Sequence, residues 1–281
     1  MIRTARCFVI ILILSLTAGQ LQAQNWIPLF DGVSLDGWTK PDGSPVTSDA
    51  WKIEPNGVLH LDTSVERGGN IFTSQTFGDF ELLFEWKISA KGNNGIKYRV
   101  NDFDGRTLGL EYQVIDDQGY GGLGPKQVTA SLYDLYEPQD HDRLNSPGQW
   151  NRGRIIVSGN RIEHWLNGLL VMHADVGSNE WRERVAASKF ADAQGFGESP
   201  TGRIMITDHG DSVWYRNLFV RSLEPSSELL PATAHSLGLV DPPTTTTCFS
   251  IRSIPNCPAS QRRICRPLQI NRRAGQCGWC K

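Results

Sequence analysis

The sequence predicts an all-β protein built from two packed antiparallel sheets, and three observations carry that expectation. The first is the stretch Phe80-Glu81-Leu82-Leu83-Phe84-Glu85-Trp86-Lys87-Ile88. Phe80, Leu82, Phe84, Trp86 and Ile88 fall at period two, with Glu81, Glu85 and Lys87 between them. Successive strand side chains point to opposite faces, so this alternation buries one face and wets the other. The second is the recurrence of short runs with strand character at 51–54, 57–62, 70–74, 95–100, 109–115, 130–135, 150–158, 161–166, 169–173, 202–208 and 213–221. The third is the turn chemistry between them, including Pro55-Asn56-Gly57, Asp104-Gly105, Ser158-Gly159-Asn160 and Asn167-Gly168. Asn, Asp and Gly tolerate the left-handed backbone that tight hairpin turns demand. Many short strands with close turns specify two packed sheets. Helical periodicity is confined to one or two turns near 179–188, and no internal repeat is present.

The ends of the chain differ from this body. Arg3 and Arg6 precede an almost purely apolar run over 8–16, and Leu21-Gln22-Ala23 follows. That order is the pattern of an export signal cleaved before Gln24, with an uncleaved anchor as the alternative. The apolar run is shorter than the ~20 residues a spanning helix needs. A periplasmic or extracellular location is therefore expected, with no membrane contact after cleavage. The expected organisation is a signal at 1–23, a sandwich domain at 24–225, and a linker with a basic, cysteine-containing, disordered tail at 226–281.

Charge and cysteine follow the same division. Residues 24–230 carry a net charge of −10, whereas 231–281 carry +6. An acidic body argues against nucleic acid as partner, since phosphate recognition needs a positive footprint. Between Gln24 and Thr247 there is no cysteine, so core burial alone must stabilise the body. Cys248, Cys257, Cys265, Cys277 and Cys280 all lie in the tail, where Cys277-Gly278-Trp279-Cys280 is a single CxxC without the second pair that a zinc site wants.

Candidate chemistry gathers on the pair of strands joined by Asp104-Gly105. Paired as a hairpin, they set Arg99 opposite Glu111 and Lys97 opposite Gln113, with Ile96, Tyr98, Tyr112 and Val114 turned to the core. Two readings stay open for that polar face: a solvated outer surface with a cross-strand ion pair, or the floor of a sugar-binding groove. His209 follows Asp208 at a strand end, where a neighbouring carboxylate tunes an imidazole for proton transfer. His164 lies on a strand leading into the Asn167-Gly168 turn, and His141 sits in a loop between Asp140 and Asp142. No HExxH, paired CxxC or calcium loop assigns a metal, and no GxGxxG points to a dinucleotide. The eight tryptophans between Trp26 and Trp214 mostly fall in strand-core patterns, which speaks against a surface that binds sugar through exposed aromatic platforms.

Read in order, the motifs resemble one family. They are Pro28-Leu29-Phe30-Asp31-Gly32 with Leu35-Asp36-Gly37-Trp38, Gly78-Asp79-Phe80-Glu81-Leu82, Asn93-Asn94-Gly95-Ile96-Lys97-Tyr98-Arg99, and Leu110-Glu111-Tyr112-Gln113-Val114-Ile115-Asp116. Ser131-Leu132-Tyr133-Asp134-Leu135, Glu163-His164-Trp165-Leu166-Asn167-Gly168, Ser188-Lys189-Phe190, Asp208-His209-Gly210 and Val213-Trp214-Tyr215-Arg216-Asn217-Leu218 complete the set. Together they resemble the secreted 3-keto-disaccharide hydrolase domain family, whose fold is the concanavalin A-like jelly roll. One departure is Thr207, where the family pattern has Gln.

The resemblance implies an enzyme that cleaves glycosides already oxidised to a ketone at C3, by elimination or hydrolysis, with a separate sugar 3-dehydrogenase supplying the ketone. It implies Glu111 and His209 as base and acid, with Lys97, Arg99 and Gln113 holding the sugar or its enolate. Asp116, His164 and Lys189 are further substrate-binding candidates, and Arg216 is expected to brace its sheet beside Trp214. No cofactor is expected, with a divalent metal left open. The alternatives are a non-catalytic carbohydrate-binding module and a classical endoglucanase. The second is disfavoured because Glu111-Tyr112-Gln113-Val114-Ile115 carries one carboxylate where such enzymes place three.

Overall fold

The computed structural model describes residues 26–140 and 142–223. The segment expected to be an export signal, the tail cysteines and His141 lie outside the described residues. In chain order the elements are β1 (Ile27–Pro28), β2 (Trp38–Thr39), β3 (Trp51–Glu54), β4 (Val58–Leu61), β5 (Ile71–Phe77), β6 (Phe80–Ile88), β7 (Asn93–Phe103), β8 (Arg106–Ile115), β9 (Asn151–Ser158), β10 (Arg161–Leu166), β11 (Leu169–Asp175), α1 (Asn179–Ala186), β12 (Gly202–Ile206) and β13 (Val213–Ser222). They form two antiparallel sheets. One runs β11-β10-β9-β6-β13-β4-β3, with β1 also on β13; the other runs β2-β5-β12-β7-β8.

The core fills the space between the sheets, and strands such as β9 and β10 alternate between buried and more exposed residues as their sequences do. Phe80, Leu82, Phe84, Trp86 and Ile88 of β6 are all buried. A row across the smaller sheet, Ile71, Ile206, Ile96 and Tyr112, presses against them from the other side. Gly153 lies opposite Phe84, and a Cβ there would come within 2.2 Å of the Phe84 ring. Glycine is what lets that ring lie flat over β9.

Helix α1 begins where Ser178 accepts a bond from the Trp181 backbone N–H at 3.1 Å. That side-chain acceptor satisfies one of the unpaired donors of the first turn. The helix buries Trp181, which stacks on Tyr136.

Two expectations need correction. The segment 130–135 is not a strand; only Leu132 makes bridges, to Tyr112 and Tyr136. Ala130 and Asp134 both take positive φ, 63° and 65°, which breaks an extended run despite its strand-like composition. The β7–β8 register also differs. Lys97 pairs with Glu111 and Gly95 with Gln113, with a bulge between Tyr98 and Asn101.

That bulge decides which face carries the charges. The Asp104-Gly105 turn, both residues at positive φ, pairs Phe103 with Arg106 and Asn101 with Leu108. Continued without interruption, that ladder would set Lys97 beside Tyr112 on the core face. One extra residue on β7 shifts the register, so Tyr98 and Ile96 turn inward and Lys97 turns outward opposite Glu111. A one-residue slip flips every side chain, and here a bulge supplies the slip.

Candidate active site

The outer face of the smaller sheet carries the row Phe72, Met205, Lys97 and Glu111, immediately beside the inward apolar row. Glu111 is the centre of the site. Its side chain is 5% exposed, with Oε2 3.6 Å from Lys97 Nζ and Oε1 4.0 Å from His209 Nε2. Room for that carboxylate comes from Gly95 on the neighbouring strand, where a Cβ would lie 2.3 Å from Oε1. Burial pushes the Glu111 pKa up, but His209, Lys97 and Lys189 together outweigh it and hold the carboxyl below its usual range. Glu111 is therefore ionised at neutral pH and able to accept a proton.

His209 reaches the carboxylate from the turn after β12 and is 42% exposed. Asp208 does not pair with its ring, contrary to the sequence expectation. The Asp208 carboxylate instead accepts from the backbone N–H groups of Gly69 and Gly210, both at 2.8 Å, and Asn70 Oδ1 accepts from the Asp208 N–H. These bonds pin the turn that presents the imidazole. Arg67 lies beside the same turn, with Nε 3.7 Å from Asp208 Oδ1.

A third wall comes from 129–136 and the stretch after α1. Tyr133 N–H donates to Glu111 O, and Gln113 N–H donates to Ser131 O, so this segment runs along the edge of β8. The Lys189 backbone N–H donates to Asp134 Oδ2 at 2.8 Å, and its ammonium lies 4.0 Å from the Tyr133 ring centroid. Burial and the like charge of Lys97 lower the Lys189 pKa, while Glu111 opposes them. Gln113 is buried; its Nε2 donates to Gln127 O at 3.3 Å and Asn93 Oδ1 at 3.4 Å, leaving Oε1 without a partner. Thr207 is also buried, its hydroxyl donating to Gly95 O at 3.2 Å.

The structure thus brings together Glu111, His209, Lys97, Gln113 and Lys189. Three other candidates sit elsewhere. Arg99 occupies the bulge at φ 47° and sends its guanidinium to one end of the sandwich, donating to Gly159 O at 2.8 Å with Asp79 3.9 Å away. His164 is fully buried between the sheets, bonded to Tyr98 and Ala130. Asp116 spends its oxygens on the backbone N–H groups of Lys91, Gln118 and Gly119, which shapes a turn. Arg216 braces its sheet as expected, donating to Glu85 at 2.7 Å and stacking on Trp150. Among the described residues no group of three or more His, Cys, Asp or Glu side chains is placed to hold a metal.

Tyr133, Gln127 and Arg67 were not singled out from the sequence as site residues. Tyr133 stood inside an expected strand, and only the irregular path of 129–136 turns it toward Glu111.

Fold and site together define a two-sheet antiparallel β-sandwich with a buried carboxylate among cations on the outer face of its smaller sheet. The chain belongs to the 3-keto-alpha-glucoside-1,2-lyase-like domain family, whose model matches residues 25–221. It is 30% identical over 235 residues to a 3-keto-disaccharide hydrolase of Bacteroides thetaiotaomicron, covering 73% of this chain and 80% of that protein. Two solved structures from Parabacteroides distasonis ATCC 8503, both carrying a provisional glycosyl hydrolase name, are also similar. The first is 29% identical with a TM-score of 0.64, covering 72% of this chain and 96% of its own. The second is 27% identical with a TM-score of 0.55, covering 70% and 99%.

Proposed function

We propose that this protein is an exported enzyme that cleaves glycosides already oxidised to a ketone at C3, using Glu111 and His209 for proton transfer. The observation that carries this reading is the setting of Glu111: an ionised, nearly buried carboxylate whose neighbours are two ammonium groups and an imidazole. The description of its family and the name of the Bacteroides thetaiotaomicron relative support the same substrate class.

The chemistry follows from the ketone. A carbonyl at C3 acidifies the C2 hydrogen, because the electron pair left on C2 delocalises onto the carbonyl oxygen. The Glu111 carboxylate takes that proton. Charge developing on the C3 oxygen is met by the ammonium groups of Lys97 and Lys189, held in a partly water-excluded site where such stabilisation is strongest. The enolate then collapses: C1=C2 forms, the C1–O bond breaks, and the protonated His209 imidazole gives its proton to the departing oxygen. Addition of water across C1=C2 completes a net hydrolysis; without it the product is the unsaturated 3-keto sugar. The ketone itself comes from a separate dehydrogenase acting earlier. A retaining glycosidase on the unoxidised sugar would instead need two carboxylates ~5–5.5 Å apart. Here Asp134 and Asp208, the acidic residues beside the site, are engaged by backbone N–H groups.

The test is to incubate the protein with a 3-keto disaccharide and with its parent. The proposal expects turnover of the ketone only, falling by ~10²-fold or more in Glu111→Gln and His209→Ala. Turnover of the parent would indicate a classical glycosidase, and binding without turnover a carbohydrate-binding module.

A further inference from the structure

The outer face of the larger sheet, on the opposite side of the sandwich from Glu111, carries chemistry that the proposed reaction does not use. Four of the eight tryptophans among the described residues, Trp26, Trp150, Trp165 and Trp214, are only partly buried and stack with cations on this face. Between Trp26 and Trp165 lies a groove of about 540 Å³, lined also by Arg152, Arg154, Arg221 and Glu81. Three guanidinium groups and one carboxylate line the groove, with Arg152 also 3.4 Å from Glu85 beside it, on a body whose net charge is −10.

The groove is built rather than incidental. Glu81 is 5% exposed and pairs with both Arg154 and Arg221. Arg154 stacks on Trp165 and Arg221 on Trp26, each within 5.0 Å of the ring centroid. Trp165 Nε1 donates to Glu163 Oε2 at 3.0 Å, which fixes the indole. One carboxylate therefore orients two guanidinium forks and, through them, two indoles. Across the strands the register runs Trp165, Arg154, Leu83, Phe219 and Pro28, so the half-buried apolar side chains of Leu83 and Phe219 follow Arg154 across the sheet. Four strand spacings separate β10 from β1, about 19 Å. That span suits an oligomer rather than a single ring.

Two indoles and an apolar floor meet the C–H faces of pyranose rings, and guanidinium forks meet carboxylates bidentately. We propose that this groove is a second saccharide site, distinct from the Glu111 site, that binds an oligosaccharide of uronic acids. It would hold the enzyme on an acidic polysaccharide while the opposite face turns over its substrate. The proposal does not depend on the reaction assigned to Glu111.

Calorimetric titration of the whole protein with tetragalacturonate, maltotetraose and tetraglutamate tests it. Tetragalacturonate should bind, more weakly as salt rises, while the neutral and peptide probes should not. Trp165→Ala and Arg152→Ala should each weaken binding about tenfold or more, with the melting temperature and the turnover of 3-keto glycosides unchanged. Arg152 is 69% exposed, and its partner Glu85 keeps Arg216 at 2.7 Å, so the substitution leaves no carboxylate unpaired. Absence of tetragalacturonate binding, indifference of that binding to both substitutions, or equal binding of tetraglutamate would each overturn the proposal. So would sedimentation showing that this face closes a dimer which Trp165→Ala dissolves.

Discussion

At the scale of single residues, environment decides what each titratable group can do. Glu111 and His164 are both buried, yet only Glu111 has cations around it. His164 instead sits between Ala130 O at 3.0 Å and the Tyr98 hydroxyl at 2.8 Å. A carbonyl only accepts, so Nδ1 carries the hydrogen and Nε2 accepts from Tyr98; both nitrogens are satisfied in the neutral ring. Burial pushes the His164 pKa down to about 3. The unfolded chain, with an ordinary histidine pKa, therefore binds one more proton than the folded chain between about 6.5 and about 3. Stability should fall as pH drops through that window and level off below it. Chemical denaturation across pH 7 to 3 checks this: His164→Gln should be less stable at neutral pH but show a shallower acid decline. The family resemblance marks His164 as a substrate-binding candidate, but it alternates with Ile162 and Leu166, all three buried, on the core face, which gives it a structural role. Glu111 invites a second test through its neighbour Gly95. Gly95→Ala would push a methyl into the carboxylate oxygen and should cost about 10²-fold in kcat/KM, since a displacement of that size is enough to spoil proton-transfer geometry.

At the scale of elements, local pattern located the strands better than their registers. The span of β6 was readable because Phe80, Leu82, Phe84, Trp86 and Ile88 recur at period two, even though Leu83 and the buried Glu81 depart from a wet outer face. The Asp104-Gly105 turn was readable because both positions tolerate positive φ. The bulge at Arg99 was not. An arginine at φ 47° leaves no compositional mark, and only the demand that Tyr98 and Tyr112 share the core face requires it. The polar face was nonetheless foreseen with Lys97, Glu111 and Gln113 together, because the true register differs from the expected one by two residues and preserves sidedness. The segment 130–135 misled for the opposite reason: its composition favours a strand, and two left-handed residues override it. Packing between elements is tightest where Gly153 receives Phe84. Gly153→Ala should destabilise the sandwich by ~1–3 kcal/mol through overpacking, measurable as a lowered denaturation midpoint with unchanged slope.

At the scale of the whole molecule, the two sheets divide the labour. Their inner faces are apolar and hold the fold without a disulfide, and their outer faces carry different polar chemistry. Tryptophan shows why this division was only half visible beforehand. Trp38, Trp51 and Trp86 are buried as the strand patterns indicated, and Trp181 is buried by helix α1, whereas Trp26, Trp150, Trp165 and Trp214 line the outer face of the larger sheet. Strand periodicity assigns a residue to one of two faces, but which face is covered depends on what packs there. The central claim is that cleavage begins with removal of the C2 proton by Glu111, and the fate of that hydrogen tests it most directly. A 3-keto glycoside deuterated at C2 should be cleaved more slowly than the unlabelled substrate, with the label lost to water, and Glu111→Gln should abolish both the loss and the cleavage. Cleavage at an undiminished rate with deuterium fully retained at C2 would contradict the account.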